Sequence, residues 1–397
     1  MTNESPGRSR LPIVRLTAKG LRWRRTGHPW VYRNDLEAGQ PEVTAGDLVA
    51  VADPAGRVLG QAFYSAASRI ALRFVTSADE PVDAAFWDSR LRRALAYRRR
   101  VVTDTDAYRL IYGEADGFPG LVVDSYAGHL ALQTLHPGME RRLPEIIDLL
   151  VAHLSPASLT LRHDAEVRLQ EGLPLLVETV YGELPDRVAV REGQIKLWVD
   201  VRGGQKTGLF LDQRENRLAA AAWSRGEVLD AFAYQGGFAM HLAAGAERVT
   251  LVESSGAALG LAKDNASLNG YDNLDLVKAN VFAFLKEAVV GGRRFDLISL
   301  DPPAFAKSRR DREAAYKGYK EINRRAFQLL NPGGVLITCS CSYNLSEPEF
   351  LEIVRAAAAD AHRQARLVER RGAAKDHPAL LSLPESLYLK CLILEAE

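Results

Sequence analysis

The sequence contains few cysteines and no long apolar segment. Its 397 residues include three thiols, Cys339, Cys341 and Cys391, too few and too clustered for a disulfide framework or a four-ligand zinc site. No run of eighteen apolar residues occurs, which argues against a membrane-spanning helix. The first ten residues are polar and lack the apolar core of a secretory signal. We therefore expect a cytoplasmic protein with free thiols, no membrane association and no metal.

Net charge is also nearly absent, at +1, and by itself neither favours nor excludes a nucleic-acid partner. The distribution of charge is more informative, because the segment 8–33 contains no carboxylate. A basic patch is typical of proteins that contact a phosphate backbone, and Arg22, Arg24 and Arg25 are the candidate RNA contacts. An ordinary solvated surface explains the same pattern equally well. The basic residues of the segment are Arg8, Arg10, Arg15, Lys19, Arg22, Arg24, Arg25 and Arg33.

The length predicts two or three domains, and turn signals separate short strands in the first of them, residues 1–78. This pattern indicates a small β-barrel. A basic helix follows at about Val82–Val102, with arginines at 90, 92, 93, 98, 99 and 100. The predicted strands are Pro12–Leu16, Leu48–Ala52, Val58–Tyr64 and Ile70–Val75.

A central α+β domain is predicted over residues 79–188, as an antiparallel sheet with one helix. Its strands are expected at Leu121–Val123, Leu130–Leu135 and Leu159–Arg162, and its helix at Glu140–Leu154. Over residues 189–397 strands and helices alternate regularly, which is typical of a doubly wound, Rossmann-like α/β domain. Strands are predicted there at Val228–Ala231, Arg248–Val252, Leu274–Lys278, Phe295–Leu300 and Val335–Ser340, and helices at Phe238–Ala244, Ala257–Asn269, Val281–Val289 and Ala314–Leu330.

A nucleotide-like cofactor is indicated where the first two strands of this domain end. Asp230 lies at the end of one strand, and a turn containing Tyr234 and Gly236 then opens a helix. The dehydrogenase pattern G-x-G-x-x-G is missing, which favours S-adenosylmethionine (SAM), a ligand without a pyrophosphate. Glu253 ends the next strand and suits the ribose hydroxyls. Asn280 suits an adenine edge and equally well the N-cap of the following helix.

The fourth strand ends in the segment Asp301-Pro302-Pro303-Ala304-Phe305. Two prolines make a stiff extended turn, which holds Asp301 at the edge of the sheet where ligands bind. The segment resembles motif IV of class I methyltransferases that act on amino or ring positions of nucleobases. We therefore expect Pro302, Pro303 and Phe305 to contact substrate, with Phe305 stacking on a flipped base.

A candidate nucleophile ends the fifth strand. Strand alternation places Cys339 and Cys341 on one side, and Cys341 is nearer the carboxyl edge and Asp301. Thiolate addition to C6 of a pyrimidine makes C5 nucleophilic towards a methyl donor. Asp301 would stabilise the adduct through N3 or N4 of cytosine. Cys341 and Asp301 are accordingly the predicted catalytic residues.

Taken together, these segments resemble bacterial large-subunit ribosomal RNA cytosine-C5 methyltransferases with an N-terminal PUA domain. The resemblance implies SAM contacts by Lys206, Thr207, Asp212, Gln213, Glu253, Asn280 and Asp301, Cys341 as nucleophile, and RNA binding by the PUA domain. The matching segments are Gly27–Tyr32, Gly46–Asp47, Tyr108–Ile111, Gly113–Gly117, Lys206–Gly208, Leu211–Arg214, Tyr234–Phe238, Asp301–Phe305, Ser340–Ser342 and Asp376–Pro378.

Two alternative functions remain open from the sequence. The motif at Asp301 also suits methylation of a guanine amino group without a covalent intermediate. An RNA-binding assembly factor with an inactive methyltransferase fold is the other reading. The sequence leaves the oligomeric state undecided, with a homodimer as one candidate.

Overall fold

A computed structural model describes residues 11–305 and 311–397 and places a five-stranded sheet first. The strand order is β1-β3-β4-β5-β2, with β1 parallel to β3 and the other neighbours antiparallel. All four predicted strands are present, and the three-residue β2 was missed because so short a strand carries no alternating pattern. The strands are β1 (Ile13–Arg15), β2 (Trp30–Tyr32), β3 (Leu48–Ala52), β4 (Val58–Tyr64) and β5 (Ile70–Thr76), and helix α1 (Ala18–Arg24) lies between β1 and β2.

The predicted basic helix is confirmed as α2 (Ala84–Val101). Its N-cap Asp83 accepts a hydrogen bond from the backbone N–H of Phe86 at 3.1 Å, which satisfies one of the free donors of the first turn. Trp87 and Leu91 are buried in the core of the central sheet. The helix therefore packs against the central domain, while its arginines divide between buried and exposed positions.

The central sheet has the order β10-β9-β8-β7-β6 and is mixed. Strands β8 and β9 are parallel, so the expectation of a purely antiparallel sheet was wrong. A parallel neighbour requires a crossover, which the helix predicted at Glu140–Leu154 provides. The elements are β6 (Ala107–Tyr112), β7 (Leu121–Tyr126), β8 (His129–Thr134), α3 (Pro137–Glu140), α4 (Leu143–Leu154), β9 (Ser158–His163), α5 (Val167–Gln170) and β10 (Leu176–Gly182).

The third sheet has seven strands in the order β15-β14-β13-β16-β17-β19-β18, and β19 is antiparallel to both of its neighbours. A two-stranded hairpin, β11 (Val188–Glu192) and β12 (Ile195–Val199), precedes it. The remaining elements are α6 (Arg214–Ala221), β13 (Glu227–Ala231), α7 (Gly237–Ala243), β14 (Arg248–Glu253), α8 (Gly256–Asn269), β15 (Leu274–Lys278), α9 (Val281–Val290), β16 (Phe295–Leu300), α10 (Arg312–Leu329), β17 (Leu330–Ser340), α11 (Glu347–Asp360), β18 (Ala365–Arg371) and β19 (Lys390–Ala396).

Helices cover both faces of the seven-stranded sheet, as the alternating sequence pattern predicted. Side chains of α7 and α8 pack on one face, and those of α9, α10 and α11 on the other. Strands β13, β14, β16 and β17 are parallel, so their carboxyl ends lie along one edge. The polar residues singled out at those ends are thereby brought together. The division into 1–78, 79–188 and 189–397 stays a prediction, and the hairpin begins at its second boundary.

Candidate active site

A cavity of about 630 Å³ opens at the carboxyl edge of the seven-stranded sheet, a size that suits a small-molecule ligand. The loops after β13, β14, β16 and β17 form its walls together with the segment Gln205–Gln213. Most of the predicted site residues line it. They are Lys206, Asp212, Gln213, Asp230, Tyr234, Glu253, Asn280, Asp301, Pro302, Pro303, Phe305 and Cys341.

Two predicted cofactor residues, Thr207 and Gly236, do not line this cavity. The hydroxyl of Thr207 is buried, donates to Asp124 Oδ2 at 2.5 Å and lies 2.9 Å from the Tyr126 hydroxyl. Gly236 adopts a left-handed φ of +79°, and a Cβ there would meet Leu251 at 3.0 Å. Both residues therefore shape the backbone around the cavity, and neither of them presents a side chain to it.

The predicted RNA-binding arginines lie on α1 and its C-cap, in the N-terminal domain. Arg22 and Arg25 are exposed. Arg24 instead stacks on the Phe74 ring at 4.0 Å and donates to Ser77 Oγ at 2.5 Å, and burial lowers its pKa. Its guanidinium is engaged within the domain, and RNA contact by Arg24 stays a prediction. Arg8 and Arg10 lie outside the described residues.

Asp230 and Glu253 form the cofactor side of the cavity. Asp230 is buried, and its Oδ2 accepts a hydrogen bond from the Ala239 N–H in α7 at 2.9 Å. Burial raises the pKa of Asp230 to about 7. Glu253 Oε2 accepts from the Tyr234 N–H at 3.0 Å, and its Oε1 from the Ser255 N–H at 2.9 Å. These bonds fix both carboxyl groups where β13 and β14 end.

Strained backbone borders the cavity at three positions. Phe232, Tyr234 and Lys206 have φ values of 62°, 50° and 55°, and all three line the cavity. A non-glycine residue in this left-handed region costs about 1–3 kcal/mol and is found most often at functional sites. Hydrogen bonds from the Tyr234 N–H to Glu253 and from the Gln205 N–H to the Tyr234 hydroxyl hold the strained loops in place.

Several buried polar atoms of the cavity have no hydrogen-bond partner within the described chain. They are Asp230 Oδ1, Asp212 Oδ1 and both amide atoms of Gln235. Unpartnered buried polar groups are rare in folded proteins, and here they line a cavity. SAM carries an ammonium group, ribose hydroxyls and an adenine that can satisfy such atoms. The residues present therefore fit this cofactor.

Asn280 is the N-cap of α9, and its Oδ1 accepts a hydrogen bond from the Ala283 N–H at 3.2 Å. The capping interpretation is thus confirmed. Because Asn280 also lines the cavity, the adenine contact stays a prediction for the remaining hydrogen-bonding capacity of the same side chain.

The cation side of the cavity consists of Lys206, Asp212 and Tyr388. Asp212 Oδ2 accepts hydrogen bonds from Lys206 Nζ at 2.7 Å and from the Tyr388 hydroxyl at 2.5 Å. Burial alone would raise the pKa of Asp212, but the charges of Lys206 and His377 and the two hydrogen bonds lower it well below its usual range. Asp212 is therefore a permanent anion at neutral pH.

The thiol side consists of Asp301, Pro302, Pro303 and Cys341. Cys341 Sγ lies 3.9 Å from the Pro302 carbonyl oxygen, and Asp301 Oδ1 accepts from Gln213 Nε2 at 2.8 Å. Burial and the nearby Asp212 charge raise the pKa of Asp301 to about 6. Burial and the Asp301 charge raise the pKa of the Cys341 thiol to about 11. The two acidic groups of this side therefore keep their protons to a higher pH than usual, whereas Asp212 loses its proton at a lower pH.

The residues flanking Cys341 hold it at the cavity wall. The hydroxyls of Ser340 and Ser342 lie 3.0 and 2.9 Å from the Tyr319 hydroxyl of α10. Lys390 Nζ donates to the Ser342 and Leu345 carbonyls at 2.7 and 2.8 Å. The alternation Ser-Cys-Ser thus points the serines into the core and the thiol towards the cavity.

Cys339 is placed differently from Cys341. It is 1% exposed and lies directly opposite Cys391 in the β17–β19 pair. It does not line the cavity, whereas Cys341 does. The two thiols that share a strand are therefore distinguished by depth, and Cys341 is the one of the three cysteines that lines the cavity.

Sequence reasoning missed Tyr388 and Lys390, which complete the site. Both lie where β19 begins, and that strand was not predicted. The apolar run of β19 is short and follows a loop rich in proline and serine, so only its position beside β17 reveals their role. Phe210 and Phe282 also line the cavity and were not among the predicted site residues.

Two further observations concern the described residues only. None of their helices combines the length and apolarity needed to cross a membrane. They also contain no cluster of three or more His, Cys, Asp or Glu side chains arranged to hold a metal ion.

Comparison with sequence families agrees with this geometry. The profile of the PUA-like domain family matches residues 14–77. The profile of the S-adenosylmethionine-dependent methyltransferase family matches residues 172–388, which is more than half of the chain. Fold, cavity and profile together define a SAM-dependent methyltransferase with an N-terminal PUA-like domain.

Comparison with curated relatives identifies the family within this class of methyltransferases. Ribosomal RNA large subunit methyltransferase I of Tolumonas auensis is 41% identical over 381 residues, covering 93% of this chain and 95% of the relative. The protein of the same name from Enterobacter sp. is 39% identical over 371 residues, covering 91% and 94%. The chain belongs to the ribosomal RNA large subunit methyltransferase I family.

Solved structures support the fold. SMU.776, described as a methyltransferase and solved with SAH, superposes with a TM-score of 0.84 at 20% identity, covering 97% of this chain and 99% of the other. Trm5b from Pyrococcus abyssi superposes with a TM-score of 0.53 at 15% identity, covering 98% and 99%. The first similarity extends over nearly the whole chain, including the domains before the seven-stranded sheet.

Proposed function

We propose that this chain transfers a methyl group from SAM to C5 of a cytosine in large-subunit ribosomal RNA, with Cys341 as covalent nucleophile. One observation carries the chemistry: Cys341 and Asp301 border the same cavity as the cofactor candidates Asp230 and Glu253. The names of the curated relatives support large-subunit ribosomal RNA as the substrate.

The cavity residues account for activation of the pyrimidine. The Cys341 thiolate adds to C6, and protonated Asp301 donates to N3, so the ring becomes an enamine with electron density at C5. Bound SAM supplies the methyl group that C5 accepts. A base then takes the C5 proton, the C5–C6 double bond re-forms, and the C6–S bond breaks to return the Cys341 thiolate. The N3 proton passes back to the Asp301 carboxylate, which leaves neutral 5-methylcytosine.

The two raised pKa values suggest where the first proton goes. With a pKa of about 11, only about one Cys341 in ten thousand is a thiolate at pH 7. Asp301, with a pKa of about 6, is mostly ionised at that pH and is the neighbouring carboxylate. We infer that it takes the thiol proton when the base enters and then presents that proton to N3. One transfer thus creates both the nucleophile and the acid.

The test is to methylate deproteinised large-subunit rRNA in vitro with isotopically labelled SAM and to identify the labelled nucleoside by mass spectrometry. The proposal expects 5-methylcytidine, formed by the wild-type chain and by Cys339→Ala but not by Cys341→Ala. A labelled N2-methylguanosine, with turnover retained in Cys341→Ala, would instead support the guanine reaction without a covalent intermediate. SAM binding without any labelled nucleoside would support the assembly-factor reading.

RNA contact by the N-terminal domain is part of the same proposal. Arg22 and Arg25 are exposed on α1 and its C-cap, where they are available to phosphate groups. A homodimer is also retained, supported by exposed apolar side chains along the edge strand β10, Val177, Val180 and Tyr181. Light scattering of the purified chain measures its mass directly, and a mass near 43.7 kDa would exclude the dimer.

A further inference from the structure

Helix α2 carries six arginines, and two of them are used inside the protein. Arg98 is 2% exposed and binds both carboxylate oxygens of Asp116, at 2.5 and 2.7 Å. Arg90 donates to the carbonyl oxygens of Val75, at 2.6 Å, and of Gly117. These two arginines join α2 to the N-terminal and central domains. A third, Arg92, pairs with Asp88 at 2.8 Å.

The other three arginines of α2 have no carboxylate partner among the described residues. Arg93, Arg99 and Arg100 are exposed, and Asp88 is the only acidic residue in the helix. Arg100 lies over the Tyr97 ring, 5.5 Å from its centroid. A solvated helix face usually mixes charges of both signs, whereas these three positive charges stand uncompensated.

Two of the uncompensated charges, Arg93 and Arg100, share one face of α2, and this face reaches the methyltransferase domain. Arg93, Tyr97 and Arg100 are spaced i, i+4 and i+7, so they share one helix face about 10 Å long. The Tyr97 hydroxyl donates to the Lys375 carbonyl oxygen at 2.9 Å. The Lys375 side chain is 69% exposed and lies 4.0 Å from Glu215. Arg99 lies on the adjoining face of the helix, close to Arg92. We call the group Arg93, Arg99, Arg100 and Lys375 the α2 stripe.

The α2 stripe sits on the segment that connects the central domain to the active-site wall. Asp376 follows Lys375; its carbonyl oxygen accepts from Arg98 at 2.9 Å, and its Oδ2 from the Arg109 N–H at 2.8 Å. His377 comes next, with its ring 5.3 Å from Tyr112. Arg214, which directly follows the cavity residue Gln213, donates to Asp376 Oδ2 at 3.1 Å. A ligand on the stripe is therefore held close to the framework of the catalytic cavity.

We propose that the α2 stripe binds the phosphate backbone of the RNA substrate, as a second contact surface besides the N-terminal domain. Guanidinium groups pair with phosphate oxygens in a fork geometry, and Tyr97 adds an aromatic ring between two of them. None of the exposed large apolar side chains lies on α2, whereas protein interfaces have apolar centres. A polyanion is therefore the partner that this surface fits. The inference rests on the proposed RNA substrate.

The test compares the triple variant Arg93→Gln/Arg99→Gln/Arg100→Gln with the matched control Arg92→Gln, whose arginine is already paired. Binding of the full chain to deproteinised large-subunit rRNA is measured by fluorescence anisotropy between 50 and 300 mM KCl. Each lost phosphate contact reduces the slope of log K against log salt by about 0.7–0.9. We expect the triple variant to lose about two units of slope and at least about tenfold in affinity at low salt. SAM affinity and the control should stay at wild-type values.

The possible results separate the stripe from the proposed function. A triple variant with wild-type affinity and salt slope would overturn the inference, even if the wild type forms 5-methylcytidine. Reduced affinity of the triple variant, together with a wild type that methylates another base, would support the stripe and reject the cytosine reaction. A loss seen only on assembled large-subunit particles, with naked rRNA bound normally, would assign the surface to a ribosomal protein and overturn the proposal.

Discussion

On the cation side and the thiol side of one cavity, the pKa values of two buried carboxyl groups are shifted in opposite directions. Asp212 and Asp301 are both buried there, yet the pKa of Asp212 is held well below its usual range and that of Asp301 is raised to about 6. The difference comes from their neighbours. Asp212 has a lysine and a tyrosine hydroxyl as donors, while Asp301 faces the negative charge of Asp212. Burial alone does not assign a role to a carboxylate; its partners do.

This contrast in pKa indicates different functions for the two sides of the cavity. The cation side keeps its charges fixed, which suits holding a cofactor in one orientation. The thiol side has two groups with raised pKa values, which suits moving a proton between a nucleophile and a substrate ring. The substitutions below test this division, beginning with the largest expected effect.

Removing the thiol should have the largest effect. We expect Cys341→Ala to lower RNA methylation by at least about 1,000-fold, because the pyrimidine then lacks its nucleophile, and to leave SAM affinity within about twofold. Cys339→Ala is the matched control and should stay within about threefold of wild type, since Cys339 faces Cys391. Tritium transfer to rRNA measures both. Equal losses in the two variants would contradict the assignment of Cys341.

Replacing the proton-carrying carboxylate comes next. Asp301→Asn keeps the shape of the side chain but removes the group that exchanges a proton. We expect methylation to fall about 100-fold or more. The wild-type limb with an apparent pKa near 6 should vanish from the pH profile of single-turnover rates. If the variant keeps that limb, another group is responsible for it and the proton transfer described above is wrong.

Changing the cation side should act on the thiol side through charge. Lys206 lowers the pKa of both Cys341 and Asp301, so Lys206→Met should raise both. In the free wild-type enzyme, alkylation of Cys341 by iodoacetamide should rise about tenfold per pH unit from 7 to 10, because the thiol pKa is about 11. At pH 9 the variant should react several-fold more slowly. A faster reaction in Lys206→Met would reverse the sign of the coupling.

The smallest effect is expected where the central domain supports the cation side. The hydroxyl of Thr207 bonds to Asp124 and holds the strained residue Lys206. Thr207→Val leaves that carboxylate one donor short, at a cost of about 1–3 kcal/mol in folding free energy, and should weaken SAM binding a few-fold. Thr207→Ser keeps the hydroxyl and should behave as wild type. Denaturant unfolding and calorimetry measure the two effects, and identical losses in both variants would rule out the hydroxyl as their cause.

The sequence was most informative where secondary structure alternates regularly. The strands that lead to Asp230, Glu253, Asp301 and Cys341 were predicted to within five residues of their bounds, and parallel strands necessarily bring their carboxyl ends to one edge. Nine of the twelve predicted site residues that line the cavity lie at or just after such strand ends, and the other three, Lys206, Asp212 and Gln213, were implied by the family resemblance. The direction of the strands was thus enough to predict which residues lie together at the carboxyl edge of the sheet.

Contacts between residues that are far apart in the sequence could not be predicted from the strand pattern. Nothing around Thr207 predicts that its hydroxyl turns to Asp124, 83 residues earlier. Tyr388 and Lys390 reach the site only because β19 inserts antiparallel beside β17. Arg24 belongs to a basic run, yet its guanidinium packs on the Phe74 ring and its side chain is half-buried. These features depend on tertiary neighbours that a local pattern does not contain.

The central claim is that Cys341 forms a covalent bond to C6 of the target cytosine. RNA containing 5-fluorocytidine tests it directly, because fluorine at C5 blocks loss of the C5 proton and traps the adduct. With SAM present, we expect a protein–RNA complex that survives denaturing electrophoresis, and mass spectrometry should place the bond on the peptide containing Cys341. A denaturation-sensitive complex, or an adduct on Cys339, would contradict the account.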